Sequence, residues 1–384
     1  MKTVGGTALA LSGGGVRAVC FHAGVLKWLA ERGELERVNY VSSVSGGSLF
    51  VGLVFHAGQL RWPSSREYLD SVFPFVRATL TESSLQSSAL RRLLLVPLNW
   101  RFVFARANVV ARTIEKLWGV TERLRDLPAG PVWAINGTTG ETGVRFRIKG
   151  TKLGDYETGY ASVPDMKIAV AMAISAAFPV GIGPLSLKAR GLDWEKREKW
   201  DSDEVKKYKP SVRVLHLYDG GLYDNLGLEA LFDVGNQVFR VTEGVEYDKI
   251  AVSDASPPLL RGRIPFVLSP LRAKRLIDIT LAQIRRLRVR SFVSFIRKNP
   301  GRGVYIQMGQ EATSAIKRLG GSESAAGARL SQMEWLSASE VERAASYKTT
   351  LRRVAARDFD LLARHGYETA RWNGMLWEEK TSKT

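Results

Sequence analysis

Three times in this chain an apolar run breaks into a glycine turn that carries a polar side chain. Ala8-Leu9-Ala10-Leu11 runs into Ser12-Gly13-Gly14-Gly15-Val16-Arg17, residues 38–44 into Ser45-Gly46-Gly47, and residues 212–218 into Asp219-Gly220-Gly221. Short apolar runs bounded by glycine read as buried strands. Glycine at their ends permits positive φ and leaves no Cβ to block a neighbouring segment. After the first turn, Val19, Ala23, Leu26 and Leu29 recur at helical spacing before Gly33, and after the second an apolar helix covers 49–55. Strand, helix, strand, helix in this order predicts a βαβ unit. The expected fold is therefore α/β: a three-layer α/β/α arrangement around a central, mostly parallel sheet, with helices following at the C-terminal side. In such sheets ligands bind at the carboxyl ends of strands, where all three turns are placed.

Further along, 90–126 reads as helical, 131–135 and 145–148 as strands joined across a turn-rich 136–143, and 169–178 as a small-residue helix stopped before Pro179. Residues 189–210 read as a charged surface excursion, with a helix starting at Leu226 and short strands at 237–241 and 250–253. A long basic helix over 271–298 ends at Asn299-Pro300-Gly301, 320–328 reads as a loop, and a helix over 348–364 closes on Gly366. The polar end, 378–384, is expected to fray. The domain expectation is a catalytic α/β domain over 1–260 and a basic helical extension over 261–384, packed on or continuing that domain.

The glycine loop between a strand and a helix offers backbone amides as an anion-binding concavity. Gly13, Gly15 and Ala18 also satisfy G-x-G-x-x-A. A dinucleotide site, however, wants an acidic residue at the end of the next strand, and that strand delivers Ser45. Ser43-Val44-Ser45-Gly46-Gly47 fits the nucleophile elbow G-x-S-x-G, with Ser43 in place of the first glycine. Without the other two turns, Ser45 reads as an ordinary turn residue. Asp219 offers a carboxylate to accept or orient the serine proton; its plain alternative is a turn-forming Asp-Gly.

Taken together and in this order, Gly-Gly-Gly-Val-Arg, Ser-Val-Ser-Gly-Gly and Asp-Gly-Gly resemble the patatin-like phospholipase family. The resemblance covers about 5–255, with lesser echoes at Ser175-Ala176-Ala177-Phe178-Pro179 and Leu222-Tyr223-Asp224-Asn225-Leu226-Gly227. Thr349-Thr350-Leu351 and His365-Gly366-Tyr367 are similar to bacterial members with extra C-terminal helices. The resemblance implies lipid acyl hydrolysis, of phospholipase A or lysophospholipase type, by a Ser45–Asp219 dyad. The amides of Gly13, Gly14 and Gly15 would form the oxyanion hole, with Arg17 supporting that loop. Ser43, Gly46, Gly47, Gly220 and Gly221 would shape the two turns. Two alternatives stand beside it: a weak or inactive lipid-binding protein on the same fold, and an acyltransferase or thioesterase. A Ser–Asp–His triad through His365 is a rival mechanism, since His365 follows Ser45 and Asp219 in triad order. His22 is expected to hydrogen-bond locally, and Cys20, between Val19 and Phe21, to be buried.

Composition narrows the partners. A single cysteine excludes an intramolecular disulfide framework and a multi-cysteine zinc site. His22, His56, His216 and His365 lie too far apart in sequence to form a local metal cluster, and the family resemblance implies hydrolysis with no metal or cofactor. Lys plus Arg number 56 against 38 Asp plus Glu, for a net charge of +18. That excess is local: 261–298 holds eleven basic residues and one acidic, and 90–126 eight and three. The 261–298 helix places Ile277, Leu281, Ile284 and Leu287 near one face, drifting to Phe292 and Phe295, flanked by Arg275, Arg285, Arg286, Arg288 and Arg290. A basic amphipathic helix suits an anionic membrane surface; the plain alternative is a core-packing helix with solvated arginines. Residues 90–126, with Trp100, Phe102, Phe104 and Trp118 among arginines, are a second candidate interface. Nucleic acid is not the expected partner, because no nucleic-acid module is recognisable. With no apolar run of about 18 residues and no signal-peptide pattern, a cytoplasmic protein, peripheral at a membrane, is expected.

Overall fold

The structure is a computed structural model and describes residues 5–179, 181–197, 204–257, 270–318 and 324–382. Thr7–Leu11 forms β1, Gly15–Glu31 α1, Val38–Val44 β2 and Gly46–Ala57 α2. β1 and β2 are parallel, so the first βαβ unit lies where the glycine-punctuated pattern predicts it. Residues 90–126 are broken rather than continuous: Leu85–Leu95 is α3, Pro97–Phe102 a 3₁₀ turn and Ala107–Trp118 α4. Pro97 disfavours helical backbone at Val96, which is extended. Trp118 is buried, unlike the aromatics before it.

Val132–Thr139 forms β3, Arg145–Lys149 β4, Lys152–Asp155 β5, Gly159–Ser162 β6 and Ile168–Ser175 α5. β3 thus runs four residues beyond its expected end. Leu185–Lys188 is β7, Trp194–Arg197 β8, Val205–Tyr208 β9, Val214–Asp219 β10, Lys249–Asp254 β11, Pro270–Lys298 α6, Gly303–Gln307 β12 and Ala356–Ser382 α7. These twelve strands make one sheet in the order β12-β11-β1-β2-β3-β4-β5-β6-β8-β9, with β10 beside β3 and β7, and Phe232–Asp233 and Val238–Phe239 pair separately. β12, β11, β1, β2 and β3 are parallel to their neighbours, and the sheet is antiparallel from β3 to β9.

Successive strand residues point to opposite faces, and β1 divides the core accordingly. Leu9 and Leu11 join the cluster built with α1, α2, α4 and α7. Ala8 and Ala10 join Leu228, Phe232, Phe292 and Ile296 on the other side. Helices therefore cover both faces of a mixed sheet that is parallel in its centre, with α7 added from the C-terminal side.

Several local expectations give way to tertiary contacts. Residues 189–210 contain the antiparallel pair β8 and β9, which extends the sheet, and Trp194 of β8 is buried. No α-helix starts at Leu226. Asp224 takes the Leu226 and Glu229 amides on its carboxylate, and only the 3₁₀ turn Leu228–Ala230 follows. The strand expected at 237–241 shrinks to Val238–Phe239. β12 has no counterpart in the sequence reading. Ala325–Ser331 is helical within the expected 320–328 loop, while 319–323 lie outside the described residues.

The helix expected to close on Gly366 instead runs through it. A Cβ on Gly366 would sit 2.1 Å from Phe21 O, and one on Gly24 1.8 Å from Ala363 O. Gly366 is therefore a contact residue between α1 and α7, not a helix terminator. α7 stays helical through 378–382, where fraying is expected, and 383–384 lie outside the described residues.

Candidate active site

β2 and β10 approach each other head-on along the same side of β3. Val44, the last residue of β2, pairs with Asn136, and Asp219, the last of β10, pairs with the next residue, Gly137. The two carboxyl ends therefore meet, which brings together side chains 174 positions apart. Ser45 caps α2 with φ 50° and ψ −118°, a strained conformation for a residue with a Cβ. Its N–H donates to Ser175 Oγ at 2.9 Å. A Cβ on Gly46 would lie 2.3 Å from Gly15 O, and one on Gly220 2.5 Å from Asn136 O. Both turns are thus pressed against neighbouring backbone that only glycine can meet.

Ser43 occupies the place of the elbow's first glycine without strain, since it is not among the positive-φ residues. It is fully buried and completes a one-way hydrogen-bond chain. Trp133 Nε1 donates to Ser43 Oγ (2.8 Å), Ser43 pairs with Ser48 (2.8 Å), Ser48 with Ser175 (2.8 Å), and Ser175 donates to Asn136 O (2.6 Å). The hydroxyl is thus built into the support beneath Ser45.

Asp219 is 4% exposed. Burial raises its pKa from 3.8 to about 6, partly opposed by the Gly221 N–H and by the nearby Ser45 side chain. The Gly221 N–H lies 2.7 Å from Oδ1. A serine hydroxyl at a helix N-terminus thus faces a desolvated carboxylate of raised basicity.

The glycine loop runs alongside. Its three amides are not equivalent. Gly13 N–H donates to Asn225 O at 3.0 Å and Val16 N–H to Thr350 O at 2.9 Å. Among the described residues, the amides of Gly14 (φ 151°) and Gly15 (φ 60°) have no acceptor. Of the three loop amides, the chain itself thus uses that of Gly13.

A family model described as patatin-like phospholipase matches residues 9–232, more than half of the chain. The chain belongs to the patatin-like phospholipase family. Among solved structures it is similar to human GIVD cytosolic phospholipase A2, with 13% identity and a TM-score of 0.50 over 98% of this chain and 61% of that one. The same human protein in complex with methyl gamma-linolenyl fluorophosphonate gives 14% identity and a TM-score of 0.49, over 99% and 60%. VipD from Legionella pneumophila gives 14% identity and a TM-score of 0.33, over 79% and 61%. At these identities the human structure supports the fold alone. The chain spans about three fifths of that protein's length. A comparison with curated proteins gives no match.

Around the three motifs, this patatin-like chain uses residues that the sequence reading did not assign. Ser175 and Asn136 hold Ser45 and the end of β2. Asn225 joins the two remaining turns: its carbonyl takes Gly13 N–H, and its Nδ2 donates to Ser256 Oγ at 2.9 Å. Both Ser175 and Asn225 lie in the lesser family echoes, which was the available signal. Arg17 is buried, with Nε 3.2 Å from Ala255 O and Nη1 2.6 Å from Tyr347 O. Burial lowers its pKa to about 10. It braces the chain behind the loop, its Nη2 lying 3.1 Å from where a Gly14 Cβ would be.

The histidines stand apart from this pair. His22 is fully buried, with Nδ1 2.7 Å from Ser253 Oγ and Nε2 2.9 Å from Ser12 O; burial pushes its pKa down to about 4. His365 is 1% exposed and accepts the Gly309 N–H at 2.9 Å. It makes no hydrogen bond to Ser45 or Asp219, so the structure does not assemble the rival triad. Cys20 is a buried free thiol. Among the described residues no group of three or more His, Cys, Asp or Glu side chains is placed to hold a metal. None of the described helices is long and apolar enough to cross a membrane.

The basic helix α6 departs from its expected face. Leu287 is 63% exposed, while Phe292 and Ile296 are buried. Two of its flanking arginines turn inward. Arg285 Nε lies 2.7 Å from the buried Asp254 Oδ2, and Arg288 Nε 3.5 Å from Asp224 Oδ1. Residues 261–269 of the predicted basic segment lie outside the described residues.

Proposed function

We propose that this chain is a serine acyl hydrolase of lipid esters, working through Ser45 and Asp219. Family membership supports lipid acyl hydrolysis in general, and the finer reading rests on one observation. Ser45, at a strained strand-to-helix tip, stands where the carboxyl ends of β2 and β10 meet, beside a buried carboxylate whose pKa is raised to about 6. A base poised near working pH transfers protons efficiently. In the proposed mechanism, Ser45 Oγ attacks the ester carbonyl carbon while its proton passes to Asp219. The developing oxyanion accepts hydrogen bonds from Gly14 and Gly15 N–H; such donors contribute about 10²–10³ in rate each. Collapse expels the alcohol, which takes the proton from Asp219. Water then attacks the acyl-enzyme carbonyl, Asp219 accepts its proton, and the free acid leaves as Ser45 is reprotonated.

In this reading 1–260 supplies the reacting groups, and 261–384 supplies the edge strand and helices that back them. The substrate surface is an anionic membrane met by basic parts of 90–126 and 261–298. The test is hydrolysis of phospholipid vesicles and of a soluble short-chain ester by wild type, Ser45→Ala, Asp219→Asn and His365→Ala. The reading expects both dyad variants to be inactive on both substrates, with His365→Ala active. Full activity in folded Ser45→Ala overturns it.

A further inference from the structure

We propose that α3 and the turn after it, residues 90–104, form the face that seats this protein on an anionic lipid bilayer. The inference rests on the lipid-hydrolase reading for its substrate and goes beyond it in choosing one surface. Of the 16 large apolar side chains exposed among the described residues, 8 fall within 90–104. Phe104 is 90% exposed, Leu95 72%, Leu98 71%, Leu94 61% and Trp100 59%. Exposed apolar patches of this kind mark interaction sites. This one is held in shape. Asn99 is buried and its Nδ2 donates to Arg92 O at 3.0 Å, while Trp100 Nε1 donates to Leu94 O at 3.2 Å. Arg112 bonds Asn99 Oδ1, and its guanidinium stacks 5.0 Å from the Phe102 ring.

Charge selects the occupant. Between Glu82 and Glu115 the chain carries five arginines and no Asp or Glu. On α3 itself, Arg91 joins Arg352, Arg353, Ser84 and Ser87 around a cavity of about 530 Å³, with Glu82 as its one acidic lining residue. A second copy docking by the same face would set arginine against arginine, which opposes association. A bilayer of anionic lipid meets both features: acyl chains take the apolar tips, and phosphates take the guanidinium groups. The face also adjoins the site. Asp219 N–H donates to Ala177 O at 3.0 Å. Six residues on from Ala177, a Cβ on Gly183 would lie 3.1 Å from Phe104 O.

The experiment measures binding of the full chain to two kinds of vesicle, in a Ser45→Ala background so that lipid is not consumed. One kind is pure phosphatidylcholine, the other equal parts phosphatidylcholine and phosphatidylglycerol. Leu95→Asp, Leu98→Asp and Phe104→Asp together are expected to weaken binding to the mixed vesicles by about tenfold per side chain. Arg91→Gln and Arg92→Gln are expected to cost about fivefold each on mixed vesicles and little on phosphatidylcholine. With Ser45 restored, all these variants keep wild-type hydrolysis of the soluble ester. Unchanged vesicle binding by the triple variant overturns the proposal. So does loss of a dimer with vesicle binding intact, or abolition of binding by Arg286→Gln and Arg290→Gln on α6 instead. If wild type hydrolyses no ester but binding falls as expected, the docking face stands and the catalytic reading fails.

Discussion

Replacing Asp219 by Asn separates the chemistry of this residue from its energetic cost. The carboxylate is 4% exposed, and burial raises its pKa from 3.8 to about 6. At 1.36 kcal/mol per pH unit, that rise corresponds to about 3 kcal/mol of destabilisation once the group is ionised in both states. The direction follows from proton binding. Between pH 3.8 and about 6 the folded chain holds a proton that the unfolded chain has released, so stability falls as pH rises through that window. Below it the group favours neither state, and above about 6 the full cost is present. Asn keeps an acceptor for the Gly221 N–H, which lies 2.7 Å from Oδ1, and carries no charge. Asp219→Asn is therefore expected to be more stable than wild type by about 3 kcal/mol at pH 7.5, with the gap closing toward pH 4, while ester hydrolysis is lost. Urea unfolding at the two pH values, beside a soluble-ester assay, measures both. A variant equal to wild type or weaker at pH 7.5, with the same difference at pH 4, would refute the argument that Asp219 is a strained, desolvated base.

Three further outcomes follow from the same geometry. The wild-type rate is expected to fall about tenfold per pH unit below about 6 as Asp219 takes up a proton; a flat profile down to pH 5 removes it as the base. Ser43→Gly, which restores the usual elbow pattern, leaves the buried Trp133 Nε1 without an acceptor and Ser48 Oγ with Ser175 alone. It should cost about 1–3 kcal/mol in urea unfolding without raising kcat. Gly366→Val forces a side chain into Phe21 O, 2.1 Å from the Cβ position, and should cost about 3 kcal/mol or more by parting α1 from α7. A thermal unfolding shift too small to detect would show that the interface can yield.

The three turns were legible because their chemistry is local. An apolar run, a small polar residue and glycines describe a strand end whatever the rest of the fold does, and the order of the three pieces identifies the family. What escaped depends on contacts between distant segments. Ser175 sits at the end of an apolar helix and acquires its role only because Asn136 O and Ser45 N–H converge on it. Three glycine amides look alike in sequence, yet Gly13 is taken by Asn225. Gly366 followed the usual sign of a helix end, but α7 continues because the glycine meets the Phe21 backbone. Arg285 entered a count of surface charge and is in fact paired with buried Asp254. Pro97 was a visible break in the 90–126 pattern that the helical reading passed over. β12 is short, with Val304 and Ile306 in one core cluster and Tyr305 against the other, a pattern too brief to stand out beside the helix before it.

The most direct test of the account is covalent trapping. A long-chain alkyl fluorophosphonate offers Ser45 Oγ a phosphorus centre with fluoride as leaving group. The account predicts one adduct per chain, mapped by peptide mass spectrometry to Ser45, formed far more slowly in Asp219→Asn and absent in Ser45→Ala. Modification of a different serine, or unchanged labelling of the folded Ser45→Ala protein, would contradict the claim that Ser45 is the nucleophile.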